Sequence, residues 1–170
     1  MTTIPNARSR PSQAGFTLLE VLIAIVILSI GLLGVAGMIT KAMKSNDSAY
    51  MRSQATIAAN TLLDNMRANG PGVAAGNYSG STSAVTATSY ACYGSTTACS
   101  TSSIATDDML AFKNRLAAIP NGAGAVSVVQ TSGTQYVAAV TVTWNDTRAG
   151  NAFRVSGNST QTLTLQSIVR

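Results

Sequence analysis

The sequence predicts an α+β protein in which one long N-terminal helix packs on a small antiparallel sheet. Three features carry this prediction. Residues 16–39 are almost wholly apolar, residues 51–66 place apolar side chains at helical spacing, and residues 125–169 alternate apolar and polar side chains as strands do. The first segment therefore belongs in a different solvent from the rest of the chain.

The apolar run of 24 residues is long enough to cross a membrane. As a helix it would span about 36 Å, against about 30 Å for the hydrocarbon core of a bilayer. A cleaved secretory signal is the alternative, because Arg8 and Arg10 precede the run and Val35-Ala36-Gly37 offers small residues to a signal peptidase. The length of the run and the acidic Glu20 near its start argue against that alternative.

Glu20 is the most informative residue of this segment. A carboxylate in an apolar helix is unfavourable unless it reaches the membrane surface or meets a cation, and both readings stay open from spacing alone. Three glycines, Gly31, Gly34 and Gly37, follow at intervals of three. Each lowers helix stability by about 1 kcal/mol relative to Ala, which indicates a softened segment or a close helix contact.

The run Gly15-Phe16-Thr17-Leu18-Leu19-Glu20, after a short basic leader, closely resembles the type IV prepilin signal. The resemblance implies that residues 1–15 are a leader that prepilin peptidase removes, cutting between Gly15 and Phe16 and methylating the new amine of Phe16. It also implies that Glu20 pairs with the N-terminal amine of a neighbouring subunit during assembly.

The same resemblance implies a domain organisation and a location. Residues 16–40 would span the bacterial inner membrane and later lie in the filament core, and residues 41–170 would form a periplasmic head that ends up in a pilus on the cell surface. The implied partners are other pilins and minor pilins, prepilin peptidase, the inner-membrane assembly platform, and membrane lipid before assembly.

Beyond the apolar run the helix becomes amphipathic, with apolar residues at Met51, Ala55, Ala58, Leu62 and Met66. We expect it to end near Ala68. The sequence Asn69-Gly70-Pro71-Gly72 follows, in which glycine can adopt a left-handed cap and proline cannot continue a helix.

Residues 73–106 are rich in Ser and Thr and predict a surface loop with one short strand. Cys92 and Cys99 lie in this segment, and in an oxidising compartment they can form a disulfide that stabilises the fold by about 2–3 kcal/mol. Two unpaired cysteines are the alternative. A zinc site is disfavoured, because two thiols leave the metal under-coordinated.

A second helix is predicted to begin at Thr106-Asp107-Asp108, where acidic residues suit the first turn. The two aspartates could also suggest paired catalytic carboxylates, but the structural reading is favoured. The apolar face of this helix consists of Met109, Phe112, Leu116 and Ile119, and Pro120-Asn121-Gly122 ends it.

The last third of the chain predicts three strands, with Trp144 as a core or edge aromatic residue. They are Ala125–Gln130, Tyr136–Trp144 and Thr160–Val169. The connections are Ser132-Gly133 and a longer turn over Asn145–Asn151, after which Phe153–Val155 can add a short fourth strand. The expected core residues of the sheet are Val126, Val128, Val140 and Val142.

Composition narrows the function. The chain has no His, which excludes Ser–His and Cys–His nucleophile pairs and His-ligated metal sites. Its 11 Lys and Arg against 6 Asp and Glu are too scattered to indicate nucleic-acid binding. We therefore expect no enzyme activity, no cofactor and no metal. A membrane-anchored enzyme would need a cluster of titratable residues, and a secreted binding domain would begin near residue 38.

The apolar sequence VLIAIVILSIGLLGVAGM and the later order helix, IPNG, strand, turn and YVAAVTVTW resemble the minor pilins of the PilV type. This resemblance implies a low-abundance subunit that primes pilus assembly at the tip and so affects adhesion and twitching motility. A minor pseudopilin of a type II secretion system is the alternative, and the Cys-containing head is the feature that separates the two.

Overall fold

The protein is described by a computed structural model that covers residues 15–92, 94–146 and 160–169. The chain divides between Thr40 and Lys41 into two units, which we describe separately. Helix α1, Leu18–Ala68, supplies the N-terminal unit and continues into the second. The second unit contains every residue of the hydrophobic core, so this core forms without the N-terminal unit.

The second half of α1 forms one wall of that core. Its buried residues follow the predicted stripe and are Met51, Ala55, Ala58, Ala59, Leu62, Leu63 and Met66. Five of the seven positions are Ala or Met, side chains that allow close approach or fill irregular gaps. The amphipathic half of the helix is therefore confirmed as a packing surface for the head.

Helix α1 ends at Ala68, as the sequence predicts, but the left-handed glycine cap does not form. A short helix, α2 (Gly70–Ala74), begins instead, with Pro71 in its first turn. The Asn69 side-chain oxygen caps it by accepting a hydrogen bond from the Gly72 N–H at 3.3 Å. Proline is suited to a helix start, because its missing N–H would have no partner there, so Pro71 starts a new helix after Asn69.

The Ser/Thr-rich segment contains the expected short strand, β1 (Gly80–Ser81), followed by a 3-10 turn at Thr82–Ala84. Helix α3, Thr101–Leu116, begins five residues earlier than predicted. Ser100 is its N-cap, and the Ser100 hydroxyl accepts a hydrogen bond from the Ser103 N–H at 3.1 Å. The prediction that Asp107 and Asp108 stabilise the first turn of a helix was therefore wrong.

The sheet is antiparallel, with strand order β1-β2-β3-β4. Strand β2 spans Ala123–Ser132, β3 spans Gln135–Asn145, and β4 spans Thr160–Val169. Gly133 connects β2 to β3 with a positive φ of 51°, which glycine adopts without strain. All three predicted strands are thus confirmed, with slightly longer bounds for the first two.

The predicted short strand at Phe153–Val155 lies outside the described residues, as does most of the predicted turn over Asn145–Asn151.

The core lies between the inner face of the sheet and helices α1 and α3. Val126, Val140 and Val142 point into it, as predicted, and Val128 is partly buried at its border. Trp144 is also in the core, with only 4% of its surface exposed. The predicted apolar residues of the second helix are buried as well, including Phe112 and Leu116. The predicted end at Pro120 was wrong, because α3 ends at Leu116 and Ile119 is buried beyond it.

A polar cluster ties α1 to α3 beside this core. The Tyr78 hydroxyl donates to one oxygen of Asp108 at 2.6 Å, and the Asn65 amide donates to the other at 2.9 Å. The Asn69 amide donates to the Tyr78 hydroxyl at 3.0 Å and to the Thr101 carbonyl at 2.9 Å. Burial raises the pKa of Asp108 above its usual 3.8, and the two hydrogen bonds that it accepts only partly oppose this shift.

Asp107 has a different role from its neighbour. Its buried carboxylate accepts hydrogen bonds from the Ala91 N–H at 2.9 Å and the Cys92 N–H at 2.7 Å. Cys92 is joined to Cys99 by a disulfide whose Cα atoms lie 5.9 Å apart. Asp107 therefore fastens one end of the disulfide loop to α3, and the sequence prediction of a disulfide agrees with the structure.

Substituting Gly124 by Ala should destabilise the head. An added Cβ would lie 2.3 Å from a ring carbon of Phe112 and 2.8 Å from a methyl carbon of Leu116. Overpacking of this kind costs about 1–3 kcal/mol, more than the roughly 0.4–1 kcal/mol that Gly→Ala gains through the unfolded state. Urea unfolding should show the loss, whereas Ala125→Ser on the exposed face should change stability by less than about 0.5 kcal/mol.

The raised pKa of Asp108 predicts a specific pH dependence. Because the folded state holds this proton more tightly than the unfolded state, the contribution of Asp108 to stability is fully present below pH 3.8 and is lost as pH rises through the folded pKa. Wild type should therefore gain stability relative to Asp108→Asn as the pH falls from 7 towards 4, measured by urea unfolding. A difference that stays flat or changes in the opposite direction would contradict the assignment.

Candidate functional site

The candidate functional site is the apolar first part of α1, which the chain leaves uncovered. Every described residue from Gly15 to Ala42 is exposed, and Phe16 and Leu33 expose 84% and 74% of their surface. Among the described residues, α1 is the only helix long and apolar enough to span a membrane, with a mean hydropathy of 2.8 over its best window. Isolated apolar exposure is common on soluble proteins, but a continuous surface of this size indicates contact with lipid or protein.

Polar side chains within the apolar run bond back to the helix itself. The Ser29 hydroxyl donates to the Ile25 carbonyl at 2.7 Å, and the Thr40 hydroxyl donates to the Ala36 carbonyl at 3.0 Å. These bonds satisfy the hydroxyl donors without water, which a helix in an apolar environment requires.

The glycines do not interrupt α1. The helix continues through Gly31, Gly34 and Gly37, and an added Cβ at each of them would meet no atom within 4 Å. In the single chain these positions are bare backbone on an exposed surface, open to close approach by another helix. The alternative of a softened segment is not realised as a break in this structure.

The start of α1 brings Thr17 and Glu20 together. The Glu20 N–H donates to the Thr17 carbonyl at 3.1 Å and to the Thr17 hydroxyl at 3.3 Å. Thr17 thus occupies the N-cap position and Glu20 the third helical position, the spacing of a capping box. This role of Thr17 was not predicted from the sequence, although a Thr followed three residues later by Glu before an apolar run is the recognised pattern.

Glu20 faces outward on the same side of α1 as the apolar residues around it. Phe16, Ala24, Ile25 and Leu28 share its open face. Among the described residues, no Lys or Arg side chain forms an ion pair with Glu20. The carboxylate therefore lies at the positive end of the helix macrodipole, among apolar side chains.

Gly15 and Phe16 lie before the first turn of α1, which begins at Leu18. Both residues are exposed, and the space around Gly15 is open. The bond between them is thus outside the helical hydrogen-bond ladder. The other residues of the predicted leader, 1–14, lie outside the described part of the chain.

Comparison with known proteins identifies this same segment. Residues 10–36 match the family model described as the prokaryotic N-terminal methylation motif. No curated protein and no solved structure matches the chain. The match covers the end of the predicted leader and most of the apolar run, and it leaves the head to be compared by architecture alone.

The motif is that of type IV pilins and pseudopilins, and it implies processing by prepilin peptidase and assembly with other pilins. A long apolar helix that continues into a helix-on-sheet head is the architecture expected of such a subunit. With this motif at residues 10–36 and this α+β architecture, the chain is a type IV pilin-like protein.

Proposed function

We propose that the chain is a minor type IV pilin that is made as an inner-membrane precursor with its head in the periplasm and is then built into a pilus through α1. The observation that carries this proposal is the exposed apolar surface of α1, most of which lies within the methylation motif at residues 10–36. In the precursor lipid would cover this surface, and in the filament the helices of other subunits would replace the lipid.

Cleavage after Gly15 would convert the precursor into the mature subunit. The accessible, non-helical backbone at Gly15 and Phe16 supports this site, because a peptidase needs an extended segment rather than a hydrogen-bonded helix. Residues 1–15 would leave as the leader, residues 16–40 would form the membrane and filament helix, and residues 41–170 the head. The new amine of Phe16 would then be N-methylated.

The free energies involved favour a positively charged partner for Glu20. A surface-exposed carboxylate at a helix N-terminus gains about 0.3–1 kcal/mol from the macrodipole. A charge at the centre of a membrane helix costs about 2.5 kcal/mol or more, and isolating one in a dry protein core costs more still. Capping and dipole effects together therefore do not offset the free-energy cost of burying the carboxylate. A nearby cation must offset the rest. The methylated amine of Phe16 in a neighbouring subunit would supply it.

The minor-pilin assignment rests on resemblance to the PilV type, and it places the subunit with other minor pilins at the pilus tip, where it would prime assembly and affect adhesion and twitching. Deleting the gene should reduce piliation and twitching. If it instead blocked protein secretion with normal pili, the chain would be a minor pseudopilin of a type II secretion system.

Substituting Gly15 by Val should block maturation, because a branched side chain would occupy the cleavage position. The matched control is Ala14→Val, which adds similar bulk one residue upstream. Intact mass and N-terminal sequencing should find N-methylated Phe16 in wild type and control, and an uncut N-terminus in Gly15→Val. Normal maturation of Gly15→Val would reject this cleavage site.

Substituting Glu20 separates charge pairing from helix capping. Gln also fits the third position of a capping box, so Glu20→Gln keeps the cap and removes the charge. We expect both Glu20→Ala and Glu20→Gln to be cleaved normally but to enter pili at least about tenfold less, since tenfold corresponds to about 1.4 kcal/mol. Quantifying the subunit in sheared pili measures this. Wild-type incorporation of Glu20→Gln would show that capping alone explains the residue.

A further inference from the structure

The two edges of the sheet are built very differently. The first edge is β1, which consists only of Gly80 and Ser81 and leads directly into a 3-10 turn. The other edge is β4, whose ten residues pair with β3 in unbroken register, from Thr160 opposite Asn145 to Val169 opposite Tyr136. In the described part of the chain, β4 pairs with no other strand.

Strand β4 lacks the features by which soluble proteins protect a sheet edge. Its sequence, TQTLTLQSIV, contains no charged residue, no proline and no glycine. It also has no bulge against β3, whereas β2 and β3 shift register between Gln130 and Ser132. Natural edges are blunted by such features or by being very short, as β1 is, so a long regular edge is a template for another strand.

The core is also incomplete beneath β4. Leu163 and Leu165 face inward but are only partly buried, while the β3 residues opposite them, Val142 and Val140, are fully buried. One more strand beside β4 would cover the exposed sides of the two leucines. Both the unpaired backbone groups of β4 and the partly buried leucines therefore favour an added β-strand at this edge.

We propose that the free edge of β4 receives an extended strand from a different protein chain in the same filament. The inference rests on the proposed assembly role of this chain. The row of backbone N–H and C=O groups along β4 is matched by the backbone of another strand. Alternate residues of that strand would be apolar, to pack beside Leu163 and Leu165, and those between them would be uncharged, to lie beside Thr162 and Thr164.

A second copy of this chain does not fit the edge. Two β4 strands paired antiparallel are related by a two-fold axis perpendicular to the sheet, and this axis would reverse α1, which packs on the sheet face. Helices that run in opposite directions cannot enter one filament through the same helix end. A head-to-tail repeat would need the opposite edge, where β1 covers β2 at Ala125 and Val126. Beyond them, residues 127–130 are all that precedes the register shift between Gln130 and Ser132, which is a much shorter regular edge than the ten residues of β4.

The strand register provides a matched pair of variants. Thr162→Lys/Thr164→Lys places two charges on β4, and Ala123→Lys/Ala125→Lys places two on β2 in the same rows, because Thr143 lies between Ala123 and Thr162 and Thr141 between Ala125 and Thr164. All four substituted positions are exposed. Edge lysines oppose strand addition, whereas lysines on β2 leave the free edge unchanged.

We expect the β4 variant to be cleaved and methylated normally but to reach sheared pili at least about tenfold less than wild type. The β2 variant should match wild type within about twofold, less than 0.6 kcal/mol. Equal loss in both variants would assign the contact to the sheet face, and no loss in either would remove the contact. Each result would overturn the proposal. Failure of the assembly role itself is distinguishable, because wild type would then be absent from pili.

Photo-crosslinking locates the occupant. With p-benzoylphenylalanine in place of Thr162, Thr164 or Gln166, one at a time in the full chain in its own cells, adducts should map to another pilin-like chain. Successive positions two residues apart should reach residues two apart on one strand of that chain. Adducts to a second copy, to the chain's own residues 147–159, or without this two-residue progression would overturn the proposal.

Discussion

The structure depends on one constraint: the first part of α1 is almost wholly apolar, and each of its described residues from Gly15 to Ala42 is exposed. Water is an unfavourable solvent for such a helix, so lipid or other helices must surround it. In the second part of the same helix, the apolar residues form a narrow stripe. The sheet and the other helices of the head cover this stripe. One continuous helix thus carries a surface for other molecules and a surface for its own core.

In the proposed assembly, Glu20 would make the exposed apolar surface selective for depth and register. An uncharged apolar helix would be equally stable at many depths and in many registers, whereas a carboxylate is tolerated at few of them. Its position in the first turn, capped by Thr17, stabilises the helix start before any partner is present. If the helix leaves lipid for a protein core, as we propose, the same carboxylate would need a cation beside it. The exposed apolar helix and the single carboxylate within it are the two features on which the proposed assembly rests.

Two aspartates of the head attach its irregular segments to the helices. Asp107 fastens the disulfide loop to α3, and Asp108 joins α1, α3 and Tyr78. The two carboxylates are not arranged as a pair for acid–base chemistry, because each already accepts hydrogen bonds from other groups of the chain. The sheet, in contrast, has a short, interrupted edge on the β1 side and a long, regular edge at β4. Among the described residues, the edge of β4 is therefore where the head presents the longest row of unpaired backbone groups.

The sequence by itself determined helix α1, the three long strands and the prepilin motif. Periodicity and a continuous apolar run are local patterns, and tertiary contacts only confirm them. It also located the end of α1 at Ala68, since proline follows closely. Tertiary structure decided what local patterns leave open. The sequence predicted Asp107 and Asp108 in the first turn of a helix. In the structure Ser100 caps that helix earlier, and both carboxylates accept hydrogen bonds from residues distant in the chain. The open edge of β4 is likewise invisible in the sequence, because strand order depends on which residues meet across the sheet rather than on their neighbours along the chain.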